Sequence, residues 1–117
     1  MADHIYGWDA EIKRKVAGKA STQLEDASIT KANKYASDIC DAQTDRTGGG
    51  WDITVDQNTG LLTTTEPFAN AISAIADKLA AQLLRCNFNE QEAKSGFEWQ
   101  QAIDELGNIK ESLIKLG

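Results

Sequence analysis

The sequence predicts a mainly α protein: a small antiparallel bundle of four or five helices, with one two-stranded β-hairpin projecting between the second and third. Apolar residues recur every three or four positions through Ile29–Gln43 and Phe68–Cys86, and again from Trp99 onward, which is helical spacing. Only the segment after Gly48-Gly49-Gly50 alternates apolar with polar residues, and it is followed by turn-forming residues and a threonine-rich return. At 117 residues the chain is expected to form one domain, 1–117, with the hairpin arm over about 47–65.

Asp9 is the expected N-cap of a short first helix that carries Ile12 and Val16 on one side and stops at Gly18. Trp8, just before the cap, reads as a hydrophobic staple. Ser21 to Glu25 is a polar connection. A second helix begins at Asp26 or Ser28 and aligns Ile29, Ala32, Ala36, Ile39, Cys40 and Gln43 on one face, with Tyr35 at its edge.

The glycines Gly48, Gly49 and Gly50 form a hinge or tether, since they combine backbone freedom with no side chain to pack. Trp51, Ile53 and Val55 then alternate with Asp52, Thr54 and Asp56, as in a half-buried strand. Asp56 to Gly60 supplies the turn, with Asn58 and Gly60 able to take positive φ, and Leu61 to Thr65 returns. Two strands alone are marginal in water. No other segment has strand character, so the partner of this hairpin is expected to be another molecule, and Trp51 is read as an interface anchor ahead of a core residue. Asp52 and Asp56 share the polar face, either as edge protection or as an acidic tip.

Pro67 suits the first turn of a third helix, with Thr65 or Glu66 as its cap. Phe68, Ile72, Ile75, Leu79, Leu83 and Cys86 form its narrow apolar stripe. Asn87-Phe88-Asn89 breaks that helix, and Asn89 with Glu92 signals the next start. Trp99, Ile103, Leu106, Ile109, Leu113 and Leu116 then share a face on which Ala93 and Phe97 do not lie. Either the helix restarts at Gly96 behind a Ser95–Glu98 capping box, or it is continuous and Phe97 points at a neighbouring subunit; the capping box favours the restart.

The net charge of −6 argues against a dedicated nucleic-acid binder, whose affinity would come from Lys and Arg neutralising phosphates. The charge is uneven: Met1 to Tyr35 carries +1 and Ala36 to Gly117 carries −7. Lys13, Arg14, Lys15 and Lys19 are the one basic cluster, a solvated face or a docking patch for an acidic partner. Cys40 and Cys86 sit at apolar helix positions and read as reduced core thiols. The sequence shows no secretory leader and nothing near the roughly 20 apolar residues of a membrane span, so a soluble intracellular protein is expected.

Catalytic chemistry is not expected. His4 is the only histidine and belongs to no ligand motif; the two cysteines are far apart, so no zinc spacing exists. The Gly triplet lacks the lysine and spacing of a phosphate loop. Pairs such as Glu90/Glu92 and Asp104-Glu105 read as solvated helix faces, and a Ser, Thr or Cys nucleophile would lack a base. No catalytic, cofactor or metal residues are assigned.

Ile29-Thr30-Lys31-Ala32-Asn33-Lys34-Tyr35-Ala36-Ser37-Asp38-Ile39, the tethered arm, Pro67 leading into Ile75-Ala76-Asp77-Lys78-Leu79-Ala80-Ala81-Gln82-Leu83, and Ala102-Ile103-Asp104-Glu105-Leu106-Gly107-Asn108-Ile109 follow one another in an order that resembles tailed-bacteriophage head–tail connector proteins, the head-completion or adaptor family. The similarity spans Ser21 to Leu116 and lies in helix faces and their order. The chain departs from the family pattern in the Gly triplet and at Ile109-Lys110-Glu111, where such proteins often finish their last helix in a glycine and a short tail.

The resemblance implies a virion protein of the neck, assembled in the host cytoplasm as a homo-oligomeric ring, commonly a dodecamer. Such a ring docks beneath the portal protein, meets the tail or a stopper protein, and lets DNA pass through its lumen without specific binding; no membrane is involved. It further implies arm contacts at Trp51, Ile53, Val55, Leu61 and Leu62, and portal or subunit docking at Ile109, Lys110, Leu113, Ile114 and Lys115. Charge pairing between subunits would fall to Lys13, Arg14, Lys15 and Lys19. The competing expectation is a small intracellular helical regulator or antitoxin-like module whose hairpin pairs in a simple dimer.

Overall fold

The structure, a computed structural model, describes residues 5–16, 25–46, 50–64 and 66–116, with 114–116 described by backbone alone. Among these the chain forms α1 (Asp9–Val16), α2 (Asp26–Gln43), β1 (Ile53–Val55), β2 (Leu62–Thr64), α3 (Ala69–Arg85), α4 (Glu90–Lys94) and α5 (Phe97–Leu116). The mainly α bundle with a hairpin between its second and third helices is the architecture the sequence predicts. Gly18, Lys19, Gly48, Gly49 and the side chains of Ile114 and Lys115 lie outside the described residues.

Helix α3 is the axis of the molecule and packs against α1, α2, α4, α5 and β2. Its apolar stripe is buried as the spacing requires, through Ile72, Ile75, Leu79 and Leu83. Ala76, Ala80 and Ala81 beside it are also buried, and their small side chains let neighbouring helices approach closely. Ala32, Ala36 and Cys40 of α2 and Trp99, Ala102, Leu106 and Ile109 of α5 complete this core. The last of these, expected among the docking residues, is only 7% exposed and belongs to the bundle.

Both long helices before α4 end in the same way. After α2, Asp45 adopts φ 58° while the Arg46 N–H reaches the Asp41 carbonyl at 2.8 Å. After α3, Asn87 adopts φ 50° while the Phe88 N–H reaches the Leu83 carbonyl at 2.7 Å. These are Schellman closures with Asp and Asn in the left-handed position that glycine usually takes. Phe88 then lies under the Lys31 ammonium, 5.0 Å from the ring centre.

Several helix starts differ from expectation. Pro67 lies in a turn ahead of α3, which begins at Ala69 after Phe68; Glu66 does not cap it, and Thr65 lies outside the described residues. Glu66 is used elsewhere, accepting from the Asp52 N–H at 2.9 Å and pairing with Arg46 at 3.1 Å. Asp9 opens α1, yet its carboxylate accepts from Asn33 and Thr30 of α2 rather than from its own first turn. Asn89 does cap α4, taking the Glu92 N–H at 3.2 Å. The restart at residues 95–97 is present without the capping box: the Ser95 hydroxyl donates back to the Glu92 carbonyl, and Glu98 pairs with Arg85. Phe97 remains 80% exposed.

Strands β1 and β2 pair antiparallel, with Ile53 opposite Thr64, Thr54 opposite Thr63 and Val55 opposite Leu62. The hairpin does not lack a cover in its own domain, which corrects the sequence reading. Trp51 is fully buried and Ile53 is 4% exposed, while Val55 and Leu62 pack partly against the same core. Period-two alternation shows that one face is apolar, but not what covers it.

Candidate functional site

The most elaborate polar construction joins residues 5–9 to the hairpin. Four consecutive main-chain N–H groups of this segment, the last of them the first residue of α1, are each accepted by a side chain from elsewhere. Tyr6 donates to Ser37 at 2.9 Å, Gly7 to Asn33 at 3.0 Å, Trp8 to Asp77 at 2.8 Å and Asp9 to Gln57 at 2.8 Å. The Gly7 carbonyl accepts from the amides of both Asn33, at 2.8 Å, and Gln57, at 3.1 Å. Each amide thus satisfies a donor and an acceptor of the segment, much as a neighbouring strand would.

Side chains lock the same segment. The buried Tyr6 hydroxyl donates to Asp41 at 2.6 Å and accepts from the Trp51 N–H at 2.7 Å, tying it to the root of the hairpin. Trp8 donates from its indole to the Gln57 carbonyl at 3.0 Å and lies against Gly60 in the hairpin turn. It packs on the hairpin rather than serving as a staple for α1. Gly60 takes φ +77°, and a Cβ there would fall 2.6 Å from the Trp8 ring. A Cβ on Gly7 would stand 2.7 Å from the oxygens of both Asn33 and Asp77. Two glycines are therefore required by close approach.

Trp51 sits at the centre of the hairpin root. Its indole N–H donates to Thr44 at 2.9 Å, and the Arg46 guanidinium covers its ring at 4.2 Å. Gly50, with φ 75°, returns its N–H to the Arg46 carbonyl. All of the buried polar side chains named among the described residues, Asn33, Ser37, Asp41, Thr44 and Asp77, face either residues 5–9 or this root. Burial raises the Asp77 carboxyl to about 7, with Glu11 and Asp9 pushing the same way and the Trp8 N–H and Lys15 opposing. Burial and the Asp41 bond likewise raise the Tyr6 phenol.

The outer side of the hairpin is free of these contacts. Leu61, in the return beyond the turn, is 69% exposed, and Asp52, Thr54, Asp56 and Thr63 are exposed around it. Asp56 organises the turn, accepting from the Asn58 N–H through its carboxylate and from Gly60 through its carbonyl. Of the five apolar residues expected to contact a partner, Leu61 alone is exposed; Trp51 and Ile53 are core, and Val55 and Leu62 are half-buried.

The charged residues separate likewise. Lys13 is exposed, Arg14 pairs with Glu11 at 2.6 Å, and Lys15 lies 3.8 Å from Glu11 and lines a cleft of about 170 Å³ with Lys78, Arg85, Glu98 and Gln101. A larger groove of about 380 Å³ runs between Asp9, Ala10, Lys13, Asp26, Ile29 and Gln57. Lys110 pairs with Asp45 at 2.9 Å, and Leu113 is half-buried against the core. Cys40 and Cys86 are free thiols, their acidity lowered mainly by burial. Among the described residues no group of three or more His, Cys, Asp or Glu could hold a metal, and no helix is long and apolar enough to cross a membrane.

No family model, curated protein or solved structure matches this chain. The site must be read from its own geometry. Sequence reasoning found the hairpin and missed the segment that fastens it. The one local sign was Tyr6-Gly7-Trp8, a glycine between two large aromatics, where a close backbone approach was the reading to consider.

Proposed function

We propose that this chain is a structural assembly protein of the head–tail connector kind. In this reading it forms a ring in the virion neck, joins portal to tail or stopper, and lines the DNA channel. The observation that carries the reading is the hairpin between α2 and α3, whose strands each have one edge without a neighbouring strand among the described residues. Such edges accept another chain by β-augmentation. Leu61 beside the turn and Phe97 at the start of α5 add exposed apolar contacts.

The charge distribution is compatible with this role. Residues 36–117 carry −7, and an acidic lumen would let DNA slide without sticking. The exposed Lys13 and the partly exposed Lys15 would meet acidic faces of an adjacent copy. With Trp51, Ile53 and Ile109 buried in the monomer, the contact set narrows to Leu61, Phe97, Lys110, Leu113 and the strand edges.

Deleting the whole arm would remove Trp51 from the core, so a point substitution is the cleaner test. Mass photometry and negative-stain imaging of the protein, alone and mixed with a purified phage portal ring, should show closed rings that Leu61→Lys abolishes without lowering the monomer's melting temperature. A simple dimer indifferent to portal would instead support the helical regulator and sink the connector reading.

A further inference from the structure

We infer that residues 5–9 are a strap that holds the hairpin against the bundle, so that strap and hairpin open together while the helices stay closed. The hairpin touches the helices through a short list of groups. Trp51 and Ile53 enter the core, Val55 and Leu62 pack partly against it, and β2 meets α3. At its root the Trp51 indole N–H runs directly to Thr44 and the Asp52 N–H to Glu66, and the further polar ties at its two ends run through the strap: the Trp51 main-chain N–H ends on the Tyr6 hydroxyl, and the Gln57 side chain and carbonyl end on Gly7, Trp8 and Asp9.

The strap in turn is held by the helices through Ser37 and Asn33 of α2 and Asp77 of α3. It is thus the middle layer of a sandwich, with helix side chains on one side and hairpin groups on the other. Lifting it leaves the Trp51 amide and the Gln57 groups without their protein partners, and withdraws the Trp8 ring from the hairpin turn. The core that α3 builds with α5 through Trp99, Ala102 and Leu106 has no part in these hydrogen bonds. Local opening with the remainder folded is the expected behaviour of a unit fastened in this way.

The inference rests on the monomer alone, and its test is read on the monomer, so its outcome is separate from that of the connector reading. It bears on that reading in one respect. The apolar inner face of the arm, Trp51 and Ile53 above all, becomes available to a partner only when the strap releases.

Hydrogen–deuterium exchange on the full chain tests it. Gln57→Ala alters an exposed turn residue and removes two of the ties, so folding of the bundle should survive. Peptides covering 5–9 and 50–64 should both exchange several-fold faster, with α3 and α5 unchanged. Gly7→Ala, which pushes a methyl group onto Asn33 and Asp77, should give the same paired response, about tenfold or more. Faster exchange of the strap with an unchanged hairpin in Gln57→Ala would overturn the inference, as would a rise spread evenly over hairpin and helices.

Discussion

Asp77 lies on α3 with its carboxylate buried against the Trp8 amide, and it carries a pH dependence whose sign follows from its surroundings. Its folded pKa is raised to about 7 from an ordinary 3.8, so the folded chain holds this proton longer than the unfolded one. The resulting stability is fully present below about pH 3.8 and is lost as pH rises through about 7. Asp77→Asn keeps an oxygen for the Trp8 N–H and cannot ionise. Its melting temperature relative to the native chain should therefore climb between pH 4 and pH 8, by an amount equivalent to a few kcal/mol. A constant offset across that range would remove the assignment. Trp51 gives a second prediction at this scale: Trp51→Ala empties a fully buried site and should cost about 3–5 kcal/mol in urea unfolding. A cost below about 1 kcal/mol would return Trp51 to the surface role that the sequence suggested.

Helix faces were legible because a period of 3.6 leaves a mark on every turn, and Ile72, Ile75, Leu79 and Leu83 are buried where that spacing puts them. Helix starts were less so. Asp9, Glu66 and Glu98 each have the chemistry of a cap, yet each carboxylate is taken by a partner distant in sequence, Asn33, Arg46 or Arg85, and local pattern cannot show that competition. The strap was illegible for the same reason in stronger form, since its main-chain ties join residues 26 to 69 positions apart and repeat with no period. Close packing of α3 gives the prediction that belongs to elements. Ala80 is fully buried, so Ala80→Leu should overpack that contact and destabilise the fold by about 1–3 kcal/mol, measured by thermal or urea unfolding. A neutral result would mean that the alanines of α3 are not setting the approach of its neighbours.

At the scale of the whole molecule, the buried polar side chains of α2, its cap and α3 gather at residues 5–9 and the hairpin root, whereas α5 meets α3 through buried apolar and alanine side chains, Trp99, Ala102 and Leu106. The chain therefore has a part made specific by hydrogen bonds and a part made stable by burial. Assembly, if it proceeds through the hairpin, draws on the first and leaves the second alone. The three tryptophans happen to sample this division: Trp8 is in the strap, Trp51 at the hairpin root under Arg46, and Trp99 in the α5 core. Replacing any two by phenylalanine turns the third into a fluorescent probe of its own region. The light from Trp51, shielded from water by the fold and facing a guanidinium, would redden as the root becomes wet, so the moment of arm release could be timed in solution without attaching a label.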